Sequence, residues 1–237
     1  MGRLAVVAGT SLLGVDPPST AVRRDVATPW GHVALFDAGD HVLLQRHGLD
    51  RYVAPHAIDH RANLAALAAL EVDRVLAIGS VGALRTEIEV GSFVAPDDFI
   101  ALGVGVSTSD GAAGHRIPGF DGAWRRRAVD VWEGSSDAAV RDGGTYWQSI
   151  GPRFETVAEI ELIRAHADVI GMTLAAECIL AAELGLAYAA VCAVDNLANG
   201  VDGADLSVEA FEAGHRASRG RVVEALGAAV PALAPER

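Results

Sequence analysis

The chain is punctuated by apolar runs too short for helices, each halted by a turn of small residues. Residues 4–8 (LAVVA) stop at Gly9-Thr10-Ser11, 41–45 (HVLLQ) at Arg46-His47-Gly48, and 74–78 (RVLAI) at Gly79-Ser80-Val81-Gly82. Runs of this length without polar alternation are strands covered on both faces. Further strands are expected at 93–96, 99–102, 144–150, 169–172 and 187–194. Between the runs lie helical stretches at 61–70, 123–132, 156–165 and 175–184, and Ser207 caps a last helix that runs to about residue 229. Residues 110–121, rich in Gly, Ala and Asp, read as a loop. Strands alternating with helices define an α/β chain: one domain, residues 1–237, with a central mixed β-sheet flanked by helices. In such sheets a ligand crevice opens beyond the strand ends, where these turns lie.

Composition narrows the ligand. Half of the residues are hydrophobic (51%) and the formal net charge is −12. Such a surface repels phosphate backbones, which argues against nucleic acid as a partner, and a small anion needs a local positive site. No apolar stretch approaches the roughly 20 residues that span a bilayer, and no signal-peptide plan is visible. Cys178 and Cys192 lie in apolar runs without metal or redox spacing, as buried thiols in a reducing cytoplasm would. His56 and His60 are four apart, but Pro55 and the lack of a third ligand nearby disfavour a zinc helix. No metal and no cofactor are expected.

The strand-end turns carry the chemistry. Gly9-Thr10-Ser11, Arg46-His47-Gly48, Gly79-Ser80-Val81-Gly82 and Met172-Thr173 together offer hydroxyls, backbone N–H groups, a guanidinium and an imidazole. That is a phosphate cradle, because arginine grips an anion in a fork and small residues let backbone donors approach. The chain has no GxxxxGK[ST] loop and no GxGxxG, which argues against an NTPase or a dinucleotide binder. The segment from Gly151 to Glu159 (GPRFETVAE) sets an aromatic ring and a carboxylate at the mouth of a helix, with Thr156 and Glu159 spaced as a capping box.

These pieces, in order and spacing, resemble the trimeric purine nucleoside phosphorylase and methylthioadenosine phosphorylase family, closest in pattern to methylthioinosine phosphorylases. The matching stretches are AGTSL, TPWG, LLQRHG, HRAN, GSVGALRTEIEVGSFVAPDDFI, GTYWQSIGPRFETVAE, DVIGMT with Glu177 four residues beyond, and VDNLANG. They extend from about residue 4 to residue 212. The resemblance implies the nucleoside phosphorylase fold, inorganic phosphate as co-substrate and a homotrimer. It implies phosphate-binding roles for Thr10, Arg46, His47, Ser80 (through its backbone) and Thr173. Phe154 would stack on the purine and Met172 would pack under the sugar, while Glu155 and Asn196 would read the base. Val208 and Phe211 match positions lining the 5′ end of the sugar, and His115 matches a histidine contributed by a neighbouring subunit. Ala8 and Ser11 depart from glycines of the family pattern, Asp59-His60 stands in place of Asn-Tyr, and the loop after Ile100 is short.

The implied reaction is phosphorolysis, in which phosphate attacks the anomeric carbon as negative charge builds on the departing base. Positioning and electrostatics suffice, without a covalent nucleophile. A carboxylate at Glu155 accepts from the N1–H of a 6-oxopurine and repels the N1 lone pair of adenine. The expected substrates are therefore 6-oxopurine nucleosides. Asp195, one residue before Asn196, keeps a methylthioadenosine phosphorylase as the alternative, and a non-catalytic nucleoside-binding relative is the other. At the 5′ end, apolar Val208 and Phe211 suit a methylthio group, whereas Glu212 suits a hydroxyl.

Overall fold

Burial on both faces accounts for the unbroken apolar run of β1 (Arg3–Ala8). Its residues alternate between two cores: Ala5 and Val7 face one, Leu4, Val6 and Ala8 the other. The computed structural model describes residues 2–137 and 139–234; Met1 and residues 235–237 of the expected single domain lie outside the described residues. The other strands are β2 (Val22–Thr28), β3 (Gly31–Asp37), β4 (His41–Gln45), β5 (Val72–Ala83), β6 (Phe93–Ala95), β7 (Asp98–Ile100), β8 (Val140–Asp142), β9 (Thr145–Gln148), β10 (Val169–Gly171) and β11 (Ala187–Leu197). The helices are α1 (His60–Ala69), α2 (Gly122–Glu133), α3 (Val157–Ile163), α4 (Leu174–Leu184) and α5 (Val208–Leu233). The sheet is mixed, as expected: β4, β1, β5 and β11 run parallel, while β10 meets β5 antiparallel.

Helices cover both faces. Leu64 and Leu67 of α1 and Leu174, Leu180 and Ala181 of α4 join one core, and Trp124 and Trp132 of α2 and Val222, Leu226 and Ala229 of α5 join the other. Both cysteines are buried as expected, and burial pushes each thiol up to about 12, so neither forms a thiolate near neutrality. Ser207 caps α5 by accepting from the Ala210 N–H. The expected capping box opens α3, with Thr156 and Glu159 satisfying each other's backbone donors.

One expectation fails in a way that makes the site. The sequence Gly79-Ser80-Val81-Gly82 is not a turn; β5 runs straight through it. The glycine there is a packing residue, since a Cβ on Gly79 would lie 2.9 Å from Cys192 Sγ and 3.1 Å from Leu174 Cδ1. Along one edge β5 stays paired with β11 from Arg74 to Ala83. On the other edge β1 leaves after Ala77, and β10 joins only at Gly82. Among the described residues, no strand pairs with that edge from Ile78 to Val81. The sheet forks there, and the fork is open.

Candidate active site

A cavity of about 290 Å³ fills the fork. It is lined by Gly9 and Thr10 after β1, by Arg46 and His47 after β4, by Ser80 on the unpaired edge, and by Met172 and Thr173 between β10 and α4. Phe154, Glu155, Asn196 and Phe211 line it as well. Of the twelve residues with expected roles, ten are on this lining, Phe211 among them.

 The two left off the lining are Val208 and His115.

The side of the cavity that holds Arg46 is built on a buried ion pair. Arg46 Nε donates to Glu177 Oε1 at 2.6 Å and Nη2 to Oε2 at 3.1 Å. Nη1 donates to the Ile78 carbonyl at 2.7 Å and Nη2 to that of Val7 at 3.3 Å, while the Tyr188 hydroxyl donates to Glu177 Oε2 at 2.7 Å. Burial opposes both charges, but each partner's field outweighs it: Glu177 stays below the usual carboxylate range and Arg46 stays charged. Among the described residues, these bonds leave one of the five guanidinium protons, on Nη1, available to a ligand. Nη1 lies against Gly9, where a Cβ would come within 2.6 Å. Glycine at this turn therefore keeps the guanidinium open to the cavity.

His47 Nδ1 lies 2.8 Å from the Val53 carbonyl, which can only accept, so the ring carries its proton on Nδ1. Burial pushes its pKa down to about 4. The ring is thus neutral near pH 7, and its remaining nitrogen, Nε2, is an acceptor. Ser80 turns its hydroxyl away from the cavity to donate to Asp195. The Thr173 side chain makes no capping bond, and its hydroxyl stands at the N-terminus of α4, where the helix dipole favours an anion.

Across the cavity, Phe154 packs against Phe211 with centroids 5.1 Å apart at 60°. Asn199 Nδ2 donates to the Glu155 carbonyl at 3.0 Å, and Asn199 Oδ1 accepts from the Leu206 N–H at 3.0 Å. Asn199 thereby fixes the backbone that carries the Glu155 carboxylate, a role the sequence reading missed; the ANG turn was the available signal. Asn196 Nδ2 donates to the Leu197 carbonyl at 2.7 Å, which orients the amide and leaves its second N–H and its Oδ1 for a ligand. Asp195 faces the other way. A bulge between Val194 and Asn196 separates the two side chains, and the Asp195 carboxylate is held by Ser80, Ser218 and His215.

Three residues considered for the sugar end lie off this chain's cavity, and for His115, expected from a neighbouring subunit, that leaves the expectation as it was. Val208 is 59% exposed on the first turn of α5 and lies off the cavity, because Phe211, one turn on, occupies the inward position. His115 is exposed on the loop before α2, also off this chain's cavity. Glu212 is exposed too and pairs with Arg216 at 3.4 Å rather than facing the sugar end.

A sheet forked over an anion cradle and an aromatic wall defines an α/β enzyme of the phosphorylase class. Residues 4–231 match the family described as the phosphorylase superfamily, and the chain belongs to it. A protein of Archaeoglobus fulgidus named "Probable 6-oxopurine nucleoside phosphorylase" is 40% identical over 202 residues, covering 84% of this chain and 83% of its own. A protein of Methanopyrus kandleri named "Probable S-methyl-5'-thioinosine phosphorylase" is 34% identical over 252 residues, covering 100% and 95%. The fold superposes on methylthioadenosine phosphorylase from Schistosoma mansoni in complex with adenine, with a TM-score of 0.87 at 24% identity, covering 98% of this chain and 92% of that one.

Proposed function

We propose that this chain, working as one domain over residues 1–237, is a purine nucleoside phosphorylase for 6-oxopurine substrates. It takes methylthioinosine or inosine and guanosine and releases free base and sugar 1-phosphate. The observation that carries this reading is the fork itself: the anion-binding groups and the Glu155/Asn196 pair face each other across one cavity. Phosphate sits on the side of Thr10, Arg46, His47, Ser80 and Thr173. Because Nε2 of neutral His47 accepts, it pairs with a P–O–H proton, and this fixes the orientation of a protonated phosphate. The base lies along Phe154, with Met172 beneath the sugar. Asn196 donates its second N–H as charge builds on the purine, so its bond strengthens towards the transition state.

The 6-oxo preference is supported by geometry as well as by the names of the relatives. Asp195, the residue on which an adenine-directed reading depends, is turned out of the cavity. The Glu155 carboxylate lies on it. At the 5′ end, Phe211 on the cavity and Glu212 off it favour the methylthio group. Inosine, adenosine, methylthioinosine and methylthioadenosine, each incubated with and without phosphate, test the reading. Phosphate-dependent release from the inosines is expected, and base release indifferent to phosphate would overturn it. Glu155→Ala is expected to lower kcat/KM for the inosines by about 10- to 100-fold, the loss of one hydrogen bond to a charged group, and to leave adenosine turnover no worse. Intact inosine turnover in that variant would remove Glu155 from base reading.

The working unit is proposed to be a homotrimer, with His115 and the exposed apolar residues Leu102, Ile117, Ile150 and Leu162 meeting neighbouring copies. No helix among the described residues is long and apolar enough to cross a membrane, and a cytoplasmic location is proposed. No cofactor is required by the chemistry, and phosphate is the co-substrate.

A further inference from the structure

Behind the cavity wall, Asp195 is a carboxylate with no side-chain exposure and, among the described residues, no arginine paired with it. Its donors are the hydroxyls of Ser80 on β5 and Ser218 on α5, and His215 Nδ1 at 3.0 Å, also on α5. A buried carboxylate needs a cation or several donors to stay ionised, and His215 is the one group among these that can supply charge. The approach is close. A Cβ on Gly214 would fall 1.9 Å from the Asp195 carbonyl oxygen, so only glycine lets α5 press its histidine onto β11 at this point.

The His215 ring connects to the cavity twice. It lies nearly parallel to Phe211, with centroids 5.9 Å apart at 12°, and Phe211 is part of the aromatic wall. The backbone of Thr10, in the turn after β1, also acts on the ring and favours its protonated form. Through Asp195 the ring reaches Ser80, the residue on the unpaired edge of β5. We infer that His215 and Asp195 form a positioning pair that holds the Thr10 turn and the Ser80 segment in place for phosphate. This role rests on the proposed phosphorolysis.

The electrostatics give the pair a sign. With His215 protonated, the pair is neutral as seen from the phosphate side. With His215 neutral, an uncompensated carboxylate stands directly behind Ser80 and repels the anion. The hydrogen bond to Asp195 raises the ring's proton affinity; burial works against it, Asp195's charge and the Thr10 backbone add to it, and the Arg219 guanidinium lowers it. Among the described residues, the charged groups acting on the ring are thus Asp195 on β11 and Arg219 on its own helix, with the neutral Thr10 backbone from the turn after β1; Ser80 and Ser218 complete the cluster as neutral partners of Asp195.

Two substitutions separate the ring's functions. His215→Phe keeps the stack on Phe211 and removes the hydrogen bond to Asp195 and the charge. His215→Asn keeps a donor at the Nδ1 position but carries no charge. The phosphate KM, the nucleoside KM and kcat are measured with the full chain from mildly acidic to mildly alkaline pH. In the unmodified chain the phosphate KM rises on the alkaline side. In His215→Phe it is raised about tenfold at neutral pH, the loss of one charge-assisted hydrogen bond, its alkaline rise is abolished, and the nucleoside KM is unchanged. His215→Asn lies between in magnitude and also lacks the alkaline rise. Variants with the unmodified phosphate KM and pH profile overturn the inference, and so does an equal rise in both KM values, which marks general disorder. Calorimetric titration with inorganic phosphate alone reads the pair independently of turnover. If the unmodified chain releases base without phosphate, phosphorolysis fails as the reaction; the pair fails separately if His215→Phe and His215→Asn bind phosphate as the unmodified chain does.

Discussion

His47 is the residue whose chemistry depends most on its surroundings. Burial lowers its pKa to about 4, and burial lowers that of His60 as well. An unfolded histidine takes up its proton near pH 6.5. Between that pH and about 4 the unfolded chain therefore binds more protons than the folded one, and stability falls as pH drops through this window. Thermal melts are expected to show the loss, on the order of a few kcal/mol by pH 4, and His47→Gln is expected to flatten it. His215 has the opposite sign: its raised pKa adds stability below the unfolded value, which is lost as pH rises through the folded one. Many single residues were legible, since Phe154, Glu155, Met172 and Asn196 sit in distinctive strings that the structure brings to one cavity. The Arg46–Glu177 pair, 131 positions apart, was not. Neither was the His215–Asp195 pair, because nothing local marks a contact made by packing α5 on β11.

At the scale of elements, the capping box of α3 stands immediately after Phe154-Glu155, the pair proposed to meet the base. Glu159 is held at about 2 by Arg153 and by the Thr156 backbone, so it is ionised throughout the working range. Thr156→Ala is expected to cost about 1 kcal/mol of stability. It is also expected to raise the nucleoside KM while leaving the phosphate KM unchanged, since the phosphate groups lie on other elements; a thermal melt and two substrate titrations check this. The box was legible because its signal is local. The β2–β3 hairpin was missed, since the polar, exposed β2 (VRRDVAT) lacks an apolar run. The strands β5 and β11 were read too short for a different reason: glycine and polar residues close to the cavity look like strand ends when packing is unseen.

For the whole molecule, the layered α/β architecture followed from alternating apolar runs and helical stretches, while the fork did not. A fork depends on which strands share an edge, and neither composition nor periodicity encodes that. The surface carries a second message in Ile117, 99% exposed, and Leu102, 85% exposed. Isolated apolar side chains are ordinary on a monomer, so assembly needs its own measurement. Light scattering is expected to return three times the mass of one chain, and Leu102→Asp with Ile117→Asp is expected to lower it. A monomeric mass for the unmodified chain would overturn the trimer.

The fork also divides labour between two branches of one sheet. The groups proposed for the anion come mainly from the branch of β1 and β4, and those proposed for the base come from the segment after β9 and from β11, which follows the other edge of β5. Among the described residues, β5 and the segment leading into α4 serve both. Base preference can therefore drift, or be redesigned, by changing one branch while the other keeps its grip on phosphate: a scaffold with a constant handle and an exchangeable reading head.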